Sequence, residues 1–349
     1  MDYDVLAFIG RFQPFHHGHK AVVDQALARA KKVALIIGSH DQPRTARNPF
    51  TTAERIAMIS AVYPEEVASG RLHFAPQVDH AYSDDRWRAG IQSSVSAIAN
   101  TPFTPDPVKI GLIGHSKDHT SYYLKSFPTW DSIEVDNVAG LNATDIRKEM
   151  FGWNGLLPVA TGEKFMPKAV GDYIRAWAGI NEASASFTQV DEEAKFIDNY
   201  KRQWNRAPYP PTFVTADAVV IQSGHILLIK RKETPGKGLW ALPGGFLDQN
   251  ERIVDGVLRE LREETRIALQ DDTLRECIQR IEVFDAPNRS QRGRTITHAA
   301  LIRLRDDKKL VKVKGSDDAE KARWVPLADL RREMFFEDHY DIIETMVGL

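Results

Sequence analysis

A histidine–glycine motif follows directly on an apolar run near the start of the chain, and that order constrains the fold more than any other feature. Residues 5–9 (VLAFI) read as a buried strand and lead into residues 10–19 (GRFQPFHHGH). A helical pattern opens at Gly18-His19-Lys20 and carries Val22, Val23, Ala26, Leu27 and Ala30 on its apolar face. Residues 33–37 (VALII) then stop at Gly38. Strand, tight turn, helix and strand make one right-handed crossover unit, which requires a parallel sheet. Near the other end, Gly245, Glu251, Arg259, Glu260, Glu263 and Glu264 form the pattern G-x5-E-x7-R-E-L-x-E-E, centred on a strongly amphipathic helix. At 349 residues the chain exceeds one ordinary core, so the two motifs are expected in separate domains.

Charge and cysteine content narrow the chemistry. With 46 basic and 48 acidic residues the net charge is −2, so no global field recruits nucleic acid or an anionic membrane, and anion binding must come from local clusters. The single cysteine, Cys277, excludes an internal disulfide and a multi-cysteine zinc site. The acidic start Met1-Asp2-Tyr3-Asp4 and the short first apolar run argue against a signal peptide, and no stretch has the length of a membrane span. A soluble cytoplasmic protein is expected.

Further strands are expected at 72–75, 108–113 and 132–137, with helices at 52–62, 86–99, 143–151 and 167–178. This alternation predicts an α/β domain, a Rossmann-like doubly wound parallel sheet, with ligands at the carboxyl ends of its strands. Residues 181–212 break the alternation with a charged helical stretch and the run Ala207-Pro208-Tyr209-Pro210-Pro211. We therefore expect a first domain over 1–183, a linker over 184–211 and a second domain over 212–349. In the second, Ser223-Gly224 predicts a two-residue hairpin turn, a helix is expected at 252–264, strands at 276–284, 295–304 and 322–325, and a helix at the C-terminal end, an α+β pattern.

Two imidazoles three residues apart at a strand-to-helix turn suit nucleotidyl transfer. There the protein supplies no nucleophile, only donors and positive charge where phosphate oxygens gain charge, and a helix N-terminus adds its own N–H groups. The alternative is that His16, His17 and His19 merely cap a surface helix. The run GRFQPFHHGH resembles the opening of archaeal-type nicotinamide-nucleotide adenylyltransferases, within the larger H-x-G-H nucleotidyltransferase superfamily. Gly38-Ser39, residues 47–51 (RNPFT), Glu54-Arg55 and residues 142–147 (NATDIR) extend the similarity over about residues 4–180. The resemblance implies His16 and His19 as catalytic residues, Arg11, Arg47 and Arg147 on the ATP phosphates, Gly18 giving close backbone approach, and Thr144 capping the late helix. It also implies that Trp87 stacks on nicotinamide and that residues 114–118 (GHSKD) line the pocket.

Glu260, Glu263 and Glu264 stand at i, i+3 and i+4 and so share one helical face, where like charges cost tenths of a kcal/mol per pair unless a cation intervenes. Hard carboxylate oxygens suit Mg²⁺, with Mn²⁺ as the alternative; either can activate water against a diphosphate. Arg259 and Glu251 are expected as an orienting ion pair. The pattern resembles the Nudix box, and residues 212–349 a Nudix domain, which implies that Gly245 offers a carbonyl to the metal. One position departs from the box: Arg266 stands where glycine is usual, at a helix end that favours a left-handed residue. Arg289, Arg292 and Arg294 precede a strand as a candidate phosphate and ribose clamp, similar to the loop of ADP-ribose-recognising Nudix proteins. Residues 317–324 (DDAEKARW) resemble their late acidic loop, in which Glu320 or an aspartate would be a ligand or general base.

The two resemblances together imply a bifunctional enzyme of NAD metabolism. ATP and nicotinamide mononucleotide would give NAD and pyrophosphate in the first domain, and ADP-ribose would give AMP and ribose 5-phosphate in the second. Two alternatives stay open: a second domain that senses ADP-ribose without cleaving it, and hydrolysis of another nucleoside diphosphate derivative such as NADH. No nucleic-acid or membrane partner is expected, and a homo-oligomer is left open.

Overall fold

The structure is a computed structural model that describes residues 1–99, 108–115, 126–136, 140–179, 183–314 and 319–349, with 319–321 described as backbone only. It divides into two units, residues 1–195 and 196–349.

The first unit runs β1 (Tyr3–Gly10), α1 (His17–Arg29), β2 (Ala30–Ile37), α2 (Thr52–Val62), α3 (Pro64–Ala68), β3 (Leu72–Pro76), α4 (Asp84–Ala99), β4 (Ile110–Gly114), β5 (Asp131–Glu134), α5 (Ala143–Met150), α6 (Leu157–Ala160) and α7 (Lys168–Ala178). Its strands pair in parallel in the order β3-β2-β1-β4-β5, so the chain reverses its direction of travel across the sheet between β1 and β4. That reversal opens a crevice at the carboxyl ends of the strands, and the His16–His19 turn leaves β1 there. The central strands are apolar on both faces because both are covered: Leu6 and Phe8 join a core with α1 and α2, while Val5 and Ala7 pack with Ile91 and Val95 of α4. The α2 helix starts where expected because Thr51 and Glu54 close a reciprocal cap, each side chain accepting from the other's backbone N–H at 3.2 and 2.7 Å.

The expected linker is largely helical: α8 (Ala185–Gln203) occupies most of it, and the division between units falls inside this helix. Its N-terminal half belongs to the first core, where Val190 is fully buried and Phe187 and Ala194 pack against the cluster. Further on, the Tyr200 and Trp204 rings meet Phe213 edge-on at 5.8 and 5.2 Å.

The second unit continues with β6 (Thr212–Gln222), β7 (His225–Arg231), β8 (Trp240–Ala241), β9 (Gly244–Phe246), α9 (Ile253–Thr265), α10 (Asp271–Glu276), β10 (Ile278–Phe284), β11 (Arg294–Arg303), β12 (Ala319–Pro326) and α11 (His339–Val347). The main sheet order is β10-β11-β6-β7-β12, with β8 on β7 and β9 on β6; β11 and β6 run parallel and the other pairs antiparallel. Ser223 and Gly224 both adopt positive φ, 46° and 70°, the backbone a two-residue hairpin turn requires. The α9 helix buries Val257, Leu258 and Leu261 against β6 and β11 residues Ala218, Val220, Ala300 and Ile302. Its last cap, Arg266, keeps the left-handed geometry (φ 45°, ψ 41°) that glycine would adopt without strain.

Two expectations follow. Replacing Arg266 by glycine should raise stability by about 0.5–1 kcal/mol, as relief of left-handed strain exceeds the entropy glycine adds to the unfolded chain; the urea midpoint measures it, and a lower midpoint would mean that the Arg266 side chain outweighs the strain. A fragment ending at residue 183 should melt on the order of 5–10 °C below one ending at 195, because it lacks Phe187, Val190 and Ala194. Equal melting temperatures would remove α8 from the first core.

Candidate active sites

At the end of β1 the two imidazoles build the start of α1 themselves. His16, buried, caps the helix by accepting from the Gly18 N–H at Nδ1 (3.1 Å), and His19 Nδ1 accepts from the His16 N–H (3.4 Å). With Nδ1 of each ring occupied as an acceptor, the hydrogen of each neutral ring sits on Nε2. The rings stack at 3.7 Å between centroids, and Phe12 and Phe15 pack on His19. Gly18 is buried beneath them, its carbonyl accepting from or facing His115 Nε2 at 3.3 Å. His17 points elsewhere, with Nε2 2.7 Å from the Glu163 carbonyl.

Three guanidinium groups converge beside this turn. Burial pushes Arg147 down to about 9 and Arg11 down to about 10; Arg47 lowers both further, and Arg11 also lowers Arg147. Arg11 Nη1 is buried with no hydrogen-bond partner among the described residues. Arg147 donates from Nη1 to the Gln13 carbonyl at 2.7 Å and from Nη2 to the Thr144 hydroxyl at 3.2 Å. Cations held this close suit a polyanion. The turn is braced from behind by Arg55, 1% exposed, which donates to the carbonyls of Arg11 and Gly38 (2.7 and 2.6 Å), Ser39 (3.1 Å) and Thr51 (3.2 Å) and to the Thr52 hydroxyl (3.0 Å). Gln13, also buried, exchanges two hydrogen bonds with the Phe50 backbone (2.7 and 3.0 Å).

One role is corrected here. Thr144 does not cap α5: Asn142 does, accepting from the Asp145 N–H at 2.9 Å, and the Thr144 hydroxyl instead steadies Arg147. Asparagine stands at the true boundary, with extended backbone, whereas Thr144 already lies in the first turn. Trp87 is half-buried on α4, 6.2 Å from the Phe127 ring. Residues 116–118 lie outside the described residues.

In the second unit, Glu260 and Glu264 face β9 and β6. A Cβ on Gly244 would lie 2.5 Å from the Ala216 carbonyl oxygen, so that position requires glycine, and one on Gly245 would lie 2.5 Å from Glu260 Oε1 and displace that carboxylate. Glu264 accepts from the Gly244 N–H at 2.9 Å, and burial, with Glu260 and Asp217 nearby, pushes its carboxyl up to about 8. Burial likewise raises Glu260, and raises Asp217 to about 6. Asp217, which sequence reasoning passed over, accepts from the Thr297 hydroxyl. Its signal was present: an acid inside an otherwise apolar strand. As expected, Arg259 pairs bidentately with Glu251 (2.6 and 3.0 Å); it also reaches Glu260 (2.8 Å) and Glu263 (3.1 Å). Among the described residues no three carboxylates or imidazoles converge as a ready ligand set. The donor chemistry nevertheless fits a hard divalent cation: the acidic oxygens of Asp217, Glu260 and Glu264 lie close enough at a glycine-lined wall for one acid to raise another.

The expected three-arginine clamp is not one unit. Arg289 is consumed by a buried bidentate pair with Asp338 (both bonds 2.9 Å), and Arg294 binds the Asp285 carbonyl, its carboxylate lying 3.6 Å away. Only Arg292 turns to the carboxylate side, over the Phe246 ring at 5.2 Å. Sequence reasoning missed Arg231 at the end of β7, whose charge acts on Glu264. Asp317, Asp318 and the Glu320 side chain lie outside the described residues.

Known proteins match both halves. Residues 7–74 match the cytidylyltransferase-like family and residues 211–346 the NUDIX domain. A nicotinamide/nicotinic acid mononucleotide adenylyltransferase of Acinetobacter baylyi is 37% identical over 150 residues, 43% of this chain and 76% of that protein. An ADP-ribose pyrophosphatase of Methanocaldococcus jannaschii is 34% identical over 131 residues, 38% of this chain and 70% of that one. A crystal structure of a bifunctional NMN adenylyltransferase/ADP ribose pyrophosphatase from Francisella tularensis, complexed with AMP and a manganese ion, superposes with a TM-score of 0.88 at 35% identity and covers 99% of both chains. With a cation-lined turn in one unit, a carboxylate helix in the other and relatives that align with each and with the whole, the chain belongs to the family of bifunctional adenylyltransferase–NUDIX pyrophosphatases.

Proposed function

We propose that the first unit transfers AMP from ATP to nicotinamide mononucleotide, giving NAD and pyrophosphate, and that the second hydrolyses ADP-ribose to AMP and ribose 5-phosphate. The observation that carries the reading is the pairing, in one chain, of three guanidinium groups beside a turn with two stacked imidazoles and a carboxylate helix at a glycine wall. The net charge of −2 supports small nucleotides rather than nucleic acid or a membrane as partners, and no helix among the described residues is long and apolar enough to cross a membrane. In this reading both reactions are cytoplasmic.

In the first unit a phosphate oxygen of the mononucleotide attacks the α-phosphorus of ATP, a new P–O bond forms, and the bond to the pyrophosphate oxygen breaks. Arg11, Arg47 and Arg147 hold the triphosphate, Gly18 lets it approach the backbone, and the Nε2–H groups of His16 and His19 meet oxygens that gain charge on the way to the transition state. Trp87 offers a ring face to nicotinamide, and Thr144 keeps Arg147 aimed.

In the second unit Glu260, Glu263, Glu264 and the Gly245 carbonyl would hold the divalent cation, Mg²⁺ or alternatively Mn²⁺. When bound, the cation screens the diphosphate and acidifies water. Arg259 orients Glu260 and Glu263, the Gly244 N–H orients Glu264, and Arg292 holds substrate phosphate. Water adds to one phosphorus and the bridging P–O bond breaks; Glu320 is the candidate to take the water proton.

His19→Ala should lower kcat for NAD synthesis by about two to three orders of magnitude and leave AMP release from ADP-ribose unchanged. Near-normal NAD synthesis in that variant would remove the histidines from catalysis. Glu264→Gln should abolish most AMP release while ADP-ribose still binds. Wild-type protein that binds ADP-ribose but releases no AMP with Mg²⁺ or Mn²⁺ would make the unit a sensor.

Glu264 also predicts a pH effect. Between its ordinary value and about 8 the unfolded chain carries this carboxylate ionised while the folded, metal-free chain keeps it protonated. Its cost to stability therefore grows as pH rises through that window and levels off above it. With a chelator present, Glu264→Gln should melt above wild type at pH 8.5 and nearly level with it at pH 4.5, and should lose the rise that added metal gives wild type. A difference independent of pH would refute the buried-acid assignment.

A further inference from the structure

Beside the carboxylate helix the second unit holds two cations, Arg231 and Arg292, that make no close ion pair among the described residues, although the Glu337 charge acts on both. Arg231 ends β7, donates from Nε to the Pro235 carbonyl at 2.9 Å, and lies 4.1 Å from the centre of the Phe336 ring. Arg292, in the loop before β11, lies 5.9 Å from the same ring and 5.2 Å from Phe246. Among the described residues no carboxylate comes within 4.0 Å of either guanidinium, and Arg292 Nε is buried without a hydrogen-bond partner. Neighbouring arginines differ: Arg289 is saturated by Asp338 and Arg259 by Glu251. Burial and the charge of Arg292 both push Arg231 down, and Glu337, Glu264 and Asp217 act on it only at longer range. Two half-buried like charges side by side are unfavourable in the empty protein, and a bound dianion reverses the sign.

The platform beneath them is fixed in place. Gly236 (φ +76°) packs so tightly on Phe336 that a Cβ would lie 2.2 Å from the ring. Glu337 adopts left-handed backbone (φ 47°) and accepts from the Gln291 N–H at 3.3 Å and from the Ser290 hydroxyl, which ties the Arg292 loop to the Phe336 segment. Strained backbone of this kind persists where the surroundings hold it for a purpose.

We propose that Arg231 and Arg292, held against Phe336, form a fork for the phosphate of a nucleoside diphosphate derivative that the carboxylate helix does not engage, with Phe336 as a positioning residue. The proposal rests on the diphosphate-hydrolase reading of this unit. It makes Arg231 a substrate-binding residue of that reaction, acting with Arg292.

The test uses the full chain. Arg231→Gln should raise KM for ADP-ribose about 10–100-fold, the worth of a charge-assisted contact, with kcat little changed. Arg231→Lys keeps the charge but not the fork and should fall between. Phe336→Leu keeps bulk but not the ring face and should raise KM without lowering kcat. Calorimetry of ADP-ribose in the turnover-deficient Glu264→Gln background should show the same loss when Arg231→Gln is added; any site in the first unit is common to both proteins and cancels. The melting shift on adding Mg²⁺ alone should survive Arg231→Gln. Unchanged KM and unchanged binding in Arg231→Gln would overturn the fork while leaving the hydrolase intact, as would a loss confined to kcat. Unchanged KM in Phe336→Leu would overturn the positioning role. Wild-type protein that releases no AMP, yet loses ADP-ribose binding on Arg231→Gln, would keep the fork and overturn the hydrolase.

Discussion

Charge taken out of water beside like charge constrains both halves of this chain. In the first unit burial lowers Arg11 and Arg147 and neighbouring arginines lower them further; in the second burial raises Asp217 and Glu264 and the charge of Glu260 raises both further. Neither cluster is a contact that stabilises a fold. Each is kept in place by surrounding structure that gains energy elsewhere, chiefly from the apolar cores on either side of the two sheets. Substrates or ions of the opposite sign are the missing partners that make such arrangements sensible.

Holding mutually repelling groups in register takes polar scaffolding that never touches the substrate. Arg55 ties the turn after β1, the end of β2 and the start of α2 through one buried guanidinium, so three segments of distant sequence meet at a fixed spacing. Gln13 does the same between the histidine turn and Phe50, and its own carbonyl receives Arg147. In the second unit the segment from Phe335 to Asp341 plays this part: Asp338 takes Arg289, His339 accepts from the Leu242 N–H, and Asp341 pairs with Arg332 at 2.7 Å.

What the sequence could reveal followed from short-range physics. The 52–62 helix, the Ser223-Gly224 turn and the α9 carboxylate face are each set by residues a few positions apart, and they formed as periodicity and capping predict. Side-chain roles that depend on distant partners were not legible. Arg289 reads as one of three equivalent cations until Asp338 arrives to neutralise it. Arg231 sits between Lys230 and Lys232 and reads as a solvated strand end; the Phe336 ring beneath it and the lack of a close acid among the described residues distinguish it. Asn142 and Thr144 are both good caps, and two residues decided which stands at the boundary. The helix over the expected linker was half visible, since its charged surface was read and its buried Val190 was not.

The stacked imidazoles at β1 have a consequence for which way protons can move. Because backbone N–H groups fill Nδ1 of both His16 and His19, either ring could take up a proton only by breaking the cap that starts α1. In the proposed reading the pair would lend hydrogens to phosphate oxygens, and would take one up only at the cost of that cap.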